Sequence, residues 1–381
     1  MDELTAAQRT QEIAARIIAP AAAKNDREAS FPREAIRELG KAGLLGLTVA
    51  REHGGAGLGP RAFASTMSTI AEADGSVAMI YLMHIMGTAC IAAAAPSAAH
   101  AATLKRIAAG EHLTTLAFSE KGSRSHFWAP VSRATKQGAH AHINAYKSWV
   151  TSAGEADSYV VSTLAADGKS PTDSTLYLID PKSPGVKTAT PWDGLGLRAN
   201  ASSPVALEGV EVSDDNRLTE EGTGFKTMLE VVLPMFNLGQ ACVGLGFCRA
   251  ATKSTVTHLK TAQFEHLGQS LGEALPTLRA QLAHMQITTD MLAAFIDDTV
   301  GHFEKPGPAT MLRALQVKAA AGEAAIAVTS LAMRTCGGAA FSKHTGIERI
   351  FRDAHAGAVM APTADVLREF IGKALLDIPL F

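Results

Sequence analysis

The chain has 381 residues, of which 47% are hydrophobic, 19% charged and 6% aromatic, with a formal net charge of −2. That length exceeds one ordinary core and points to two or three subdomains. The balance excludes disorder, which needs low hydrophobicity and high net charge. It also removes any global electrostatic case for nucleic acid or an anionic membrane.

Residues 1–113 read as an N-terminal helical domain. Pro32 stands where a first-turn proline belongs, Ile36 and Leu39 form an apolar stripe, and Gly40 and Gly43 punctuate its end. The opening MDELTAAQRT is polar and acidic, so no signal peptide is expected to begin there. EHGGAGLGP, residues 52–60, is a loop by its glycines and proline. Residues 76–95, SVAMIYLMHIMGTACIAAAA, are long enough to span a bilayer. Half of them are Ala, Gly, Ser, Thr or Cys, His84 lies among them, and no Lys or Arg flanks either edge. A buried helix is therefore expected, not a span.

From Thr114 the period changes. TTLAF, AHINAY, SYVVSTL, STLYLID and VALEGVEV are short strands separated by Gly, Pro, Asp and Ser, and they delimit a middle β domain over 114–217. Helical patterns resume over 218–381, through LAHMQITTDMLAAFIDD, LRALQVKAAAGEAAIAVTSLAMRT and VLREFIGKALL. The order is helices, a small sheet domain, then helices, an α+β arrangement. Cys90, Cys242, Cys248 and Cys336 form no CxxC pair. Neither zinc nor a disulfide framework is expected; reduced thiols of a cytoplasmic protein are.

Five segments carry a resemblance. They are LGKAGLLGLTVAREHGGAGLGP, LAFSEKGSRSH, YKSWVTSAGEADSYVV, LGLRANASSPVALEGVEVSDDNRL with EGTGF, and CGGAAF with GIERIFRDA. In this order and spacing the chain resembles the acyl-CoA dehydrogenase family, over nearly its whole length. The resemblance implies an N-terminal helical domain, a small middle β-barrel and a C-terminal four-helix bundle. It also implies FAD, an acyl-CoA substrate, a homotetramer or homodimer, and electron-transfer flavoprotein or oxygen as acceptor.

A flavin needs an apolar slab, hydrogen bonds at its N5 and O4 edge, and donors for its pyrophosphate. By the resemblance, Phe118 and Ser119 lie along the pyrimidine edge, Trp149 packs on the ring, Thr151 bonds near N5, and Ser125 approaches the pyrophosphate. Read without the flanking motif, Trp149 is a core residue of the β domain. Gly337 and Gly338 let a backbone approach a neighbouring subunit's FAD, or simply end a helix. The chain has Thr261 where the family usually has an Arg, and Arg334 where it has a Gln. Arg334 is expected to supply the lost cation, since a guanidinium fork suits a diphosphate; the plain alternative is a surface Arg.

The family's catalytic glutamate follows its Arg-Asp signature. Aligning RDAHAGAVMAPTADVL from Arg352 puts Ala361 at that position and Thr363 at the following threonine. A second family position for the base falls on Pro234, and a neighbouring Arg is here Met235. An alanine cannot accept a proton, although its backbone N–H can still polarise a thioester carbonyl. The displaced base is sought in Glu230, one turn before Pro234, whose plainer reading is a solvent-facing acid; in His84, which aligns near the acyl pocket but on an apolar helix is more often a hydrogen-bonded core residue; and in Asp365, whose family counterpart contacts the adenosine half. His126 replaces an Asp of the first β signature, and the bulky FWAP follows it. The expected function is acyl-CoA oxidation at a CH–CH bond, in fatty acid or acyl-CoA metabolism. A flavin-dependent monooxygenase or desulfinase is the alternative, ahead of a non-catalytic homologue.

Overall fold

The computed structural model describes residues 1–124 and 126–380. The chain opens with helices α1 (Glu3–Ile13), α2 (Ala19–Glu28), α3 (Arg33–Lys41), α4 (Pro60–Ala73), α5 (Gly75–Ala93) and α6 (Ala98–Ala108). Short polar side chains begin several of them. Asp2 accepts from Thr5 N–H at 2.8 Å, Asp74 from Val77 N–H at 3.0 Å, and Ser97 from His100 N–H at 3.1 Å. α5 is apolar on every side and is buried along most of its length, as such a helix must be. Three helical stretches, Gly75–Ala93, Gly224–Thr261 and Thr310–Phe341, have the length and composition to cross a membrane. In the first two the most apolar window is 78% buried within the fold, so that surface is already covered by protein.

The middle strands are β1 (Thr114–Ala117), β2 (Ala134–Gln137), β3 (His140–Val150), β4 (Ser158–Leu164), β5 (Ser174–Ile179), β6 (Val186–Thr188) and β7 (Ser203–Ser213). They form two sheets, β1-β4-β5 with β1 parallel to β4, and the antiparallel β2-β3-β7-β6. The β-barrel implied by the resemblance is corrected here: the sheets do not close. β1 and β6 have only four and three residues, too little edge for a continuous ladder. Isolated bridges, Glu120 to Lys147 and Arg133 to Leu164, join the sheets instead.

The first of those joints is a buried ion pair. Lys147 Nζ lies 2.5 Å from Glu120 Oε1 and donates to Ser162 O at 2.5 Å. Glu120 also accepts from Val131 N–H, Ser132 N–H and the Ser132 hydroxyl. Burial alone would push the carboxyl up, but the Lys147 ammonium reverses this and holds it below the usual range.

The C-terminal part runs through α7 (Gly224–Thr227), a π-helical turn at Met228–Val232, α8 (Leu233–Thr261), a hairpin of β8 (Gln263–Phe264) and β9 (Gln269–Ser270), and α9 (Leu271–Ala274). It continues in α10 (Pro276–Glu304), α11 (Thr310–Phe341), α12 (Ile347–Ala354), α13 (Ala356–Val359) and α14 (Ala364–Leu375). α8 packs on α4, α10 and α11, and α11 packs on α10, α12 and α14. Gly246 makes the α8–α4 approach possible: a Cβ there would stand 2.5 Å from the Ala71 side chain.

The three regions meet at Arg352 and Asp353. The Arg352 guanidinium bonds Asp26 of α2 at 2.6 and 3.0 Å and the Leu195 carbonyl at 2.9 Å. Asp353 accepts from Leu197 N–H at 2.6 Å. Between those loop residues, a Cβ on Gly196 would come 2.7 Å from the Arg352 backbone. Gly196→Ala is therefore expected to lower unfolding stability by about 1–3 kcal/mol, the usual range for overpacking. Gly59→Ala, which meets open space, serves as the control. Thermal unfolding of both variants tests this; equal midpoints would refute it.

Candidate active site

A cavity of about 830 Å³ opens where α5, the β domain, the start of α8 and the α12–α14 segment converge. Met79 and Met83 line it from α5, Leu116 and Phe118 from β1 and beyond, and Val232 and Phe236 from around the π-turn. Its volume lies in the range of cofactor and small-molecule sites.

Trp149 reaches this cavity because its strand is irregular. The β3–β7 register shifts between Lys147 and Val150. Ser148 N–H leaves the ladder and pairs with Ser119 O at 2.9 Å. A bulge of this kind re-aims side chains. Trp149 is 62% exposed and lines the cavity. It meets Trp192 edge-on with centroids 5.8 Å apart. Beside it the Thr151 and Ser202 hydroxyls lie 3.1 Å apart. Ser152, Leu197 and Ala201 all adopt positive φ around this corner, at 60°, 51° and 50°. Such conformations cost energy outside glycine and cluster at functional sites.

The opposite wall is the bare segment. Met360 and Ala361 line the cavity, as does Thr363, which caps α14. The Ala361 N–H donates to none of the described residues. Its flanking carbonyls are held from behind by Lys318 of α11, whose Nζ lies 3.0 Å from Met360 O and 2.5 Å from Pro362 O. Lys318 is 3% exposed, sits 5.4 Å from the Phe236 ring, and has no carboxylate partner among the described residues. Burial pushes its ammonium down to about 7. A neutral amine keeps two donors, enough for both carbonyls.

Four titratable side chains line the cavity among the described residues: Glu120, Arg124, Arg352 and His355. Glu120 is locked to Lys147, and Arg352 to Asp26. His355 bonds its own helix, Nδ1 to Phe351 O at 2.7 Å, and packs edge-on against the Phe351 ring at 4.6 Å.

Several expected site residues lie elsewhere. Glu230 points to solvent within the π-turn, 4.0 Å from Lys226. Asp365 is exposed and pairs with Arg368 at 3.1 Å. His84 is fully buried: Nε2 lies 3.0 Å from Leu45 O, and Nδ1 accepts from Thr114 N–H at 3.1 Å. Burial pushes its imidazole down to about 4. None of these three lines the cavity. Pro234 does not line it either, whereas its neighbours Val232 and Phe236 do. His126 is exposed and stacks on Trp128 at 4.8 Å. Phe127 of the same run lines the cavity, stacked 6.4 Å from Phe118. Arg334, Gly337 and Gly338 face outward on α11, where Arg334 lines a separate groove with His284 and Gln281. Gly337, at φ 54° and ψ −132°, kinks the helix in a conformation that suits glycine. Ser125 lies outside the described residues.

His355 and Lys318 were missed in the sequence. His355 stands one turn after Arg352, on the face that Arg352 turns to the cavity, and helical spacing could have found it. Lys318 lies in an alanine-rich run between Arg313 and Glu323, and nothing in that pattern distinguishes it from a surface charge.

Comparison with known proteins decides the family. Residues 2–111, 115–210 and 222–376 match the N-terminal, middle and C-terminal domains of acyl-CoA dehydrogenases. The chain belongs to the acyl-CoA dehydrogenase family. Relatives include the 3-(aryl)acrylate reductase of Clostridium sporogenes, 27% identical with 96% of both chains covered. A short/branched chain specific acyl-CoA dehydrogenase of Bos taurus is 26% identical, covering 98% of this chain and 85% of its own. Butyryl-CoA dehydrogenase of Megasphaera elsdenii shares the fold, with a TM-score of 0.91 at 22% identity over 99% of this chain and all of its own.

Members of this family are flavin-dependent oxidoreductases, and FAD is their usual cofactor. The cavity suits that group. An exposed indole, aromatic and methionine walls, and paired hydroxyls are the donor set a flavin ring needs.

Two predictions follow from this geometry. Trp149→Ala should weaken FAD retention at least tenfold, read by flavin fluorescence on dilution; unchanged retention would remove the indole from the site. Lys318 sets a pH dependence. Between about 7 and 10.5 the unfolded lysine holds a proton that the folded one has lost. Its contribution to stability therefore rises with pH, by up to about 1.4 kcal/mol per unit, and its penalty is largest below 7. Lys318→Met should flatten that slope, as denaturant unfolding across pH 7–10 will show.

Proposed function

We propose that this chain oxidises or reduces the CH–CH bond beside the carbonyl of an acyl thioester, with FAD as cofactor and acyl-CoA as the substrate class. The observation that carries this is the shared cavity. Phe118, Trp149 and Thr151, the residues matching the family's flavin contacts, face one space with Met360 and Ala361, which match its substrate wall. The names of the relatives support it, since they describe acyl-CoA dehydrogenases and an acrylate reductase.

FAD, when bound, accepts or returns a hydride. The chain's own residues do the rest. Phe118 and Trp149 would wall the ring, Thr151 and Ser202 would offer hydroxyls to its edge, and the apolar walls exclude water. The free Ala361 N–H would polarise the thioester carbonyl, and Lys318 holds that amide in place through its two neighbouring carbonyls. Arg334, Gly337 and Gly338, which face outward, would reach the cofactor of a neighbouring copy in a homodimer or homotetramer. Electrons would pass to an electron-transfer flavoprotein. The four cysteines are free and buried, consistent with a cytoplasmic enzyme.

The test is an anaerobic titration of the FAD-loaded protein with a panel of acyl-CoA thioesters and their α,β-unsaturated forms. Bleaching of the oxidised flavin by one saturated class, or reoxidation of the reduced flavin by one unsaturated class, is the expected result. A spectrum unmoved by the whole panel would overturn the proposal. It would favour the second reading, reduced flavin with oxygen, which the scarcity of free carboxylates in this apolar cavity makes the natural alternative.

A further inference from the structure

We propose that His355 is the catalytic base of this chain, taking the α-proton that a glutamate at position 361 would otherwise take. The proposal rests on the acyl thioester reading above and adds the group that moves the proton.

The geometry reaches His355 by elimination and by orientation. Of the four titratable side chains on the cavity wall, Arg124 and Arg352 are cations with no lone pair to offer. Glu120 is engaged on both oxygens: Oε1 by Lys147 and the Ser132 hydroxyl, Oε2 by Val131 and Ser132 N–H. Taking a proton there would dismantle the joint between the two sheets. His355 is differently placed. Its Nδ1 meets the Phe351 carbonyl, so the neutral ring carries its hydrogen on Nδ1 and its lone pair on Nε2. Nε2 has no hydrogen-bond partner among the described residues. The Phe351 carbonyl and the Phe351 ring fix the imidazole from two sides. A base oriented through its other nitrogen is the arrangement that general-base catalysis uses.

His355 also shares its wall with the polarising amide. The single turn of α13 separates it from Met360 and Ala361, and all three line the same cavity. In the proposed step the α C–H bond breaks and an Nε2–H bond forms. The electron pair stays on the substrate, spread over the α-carbon and the thioester oxygen, where the Ala361 N–H receives the charge. No oxidant enters this step. The imidazolium keeps its Nδ1–H on the Phe351 carbonyl.

Proton removal can be read without turnover. Phenylacetyl-CoA has an acidic α-CH₂ group and no hydrogen on the adjoining ring carbon, so it cannot be dehydrogenated. The FAD-loaded protein is mixed with it in deuterated buffer, and loss of the α-proton signal is followed by NMR. The wild type is expected to exchange well above the buffer rate. His355→Gln should lower that rate at least about a hundredfold, the scale of general-base catalysis. His355→Gln with Ala361→Glu should restore exchange, because a carboxylate returns to the family position. FAD content of each variant shows that the site is still formed. Exchange at the wild-type rate in His355→Gln would overturn the proposal. Should the wild type reduce with acyl thioesters without exchanging the probe, an unchanged reduction rate in His355→Gln would overturn it equally. A wild type that neither exchanges nor reduces would instead overturn the thioester reading itself.

Discussion

The loop around Gly196 lies against the backbone of Arg352 with no room for a methyl group between them, and that joint forms one wall of the cavity. On one side Arg352 ties the loop carbonyl of Leu195 to Asp26 in the second helix. On the other, Asp353 receives the Leu197 amide at 2.6 Å. One dipeptide thus joins three regions that are far apart in sequence. The joint has an electrostatic cost. Asp353 is buried, and that burial pushes its carboxyl up to about 7, with the Asp74 charge adding to it. Arg349, 3.7 Å from Asp74, offsets part of this. Breaking such a cluster by removing one member leaves an uncompensated buried charge, which is usually far more damaging than losing a surface pair.

The order of the elements was plain from the periodicities. Long apolar stretches such as residues 76–95 became buried helices because their hydrophobic faces had nowhere else to go. Strands with alternating or continuous apolar residues were equally visible. β2 and β6 were not, since ATKQ and VKT are short, mostly exposed and polar, and owe their pairing to the neighbouring strand. The site was half legible. Phe118, Trp149 and Ala361 sit in motifs with local signatures. What decides Trp149's direction, however, is a register shift that no residue type announces.

The three acid–base candidates chosen from the sequence lie off the cavity for a shared reason. Glu230 and Asp365 were placed by distance along the chain and His84 by its alignment near an acyl pocket, while access to a cavity depends on the angle at which a side chain leaves its helix. Glu230 and Asp365 leave toward solvent, where Lys226 and Arg368 meet them. His84 leaves toward the interior, where two backbone groups already use both of its nitrogens. His355 and Lys318 matter for the opposite reason. They occupy the face or the depth that borders the bare segment, where the Ala361 amide has no partner among the described residues.

The π-helical turn at Met228–Val232 has a consequence of another kind. A widened turn accommodates one residue more than a regular helix would in the same length. Val232, which ends it, and Phe236, four residues on, share the cavity face, while Glu230 inside the turn is directed outward. A relative that keeps a straight helix here would be offset by one position from that point on. Residues compared column by column across the turn would then be spatial neighbours instead of equivalents. A side chain that seems to be missing at Pro234 in a linear comparison is better sought by superposing backbones.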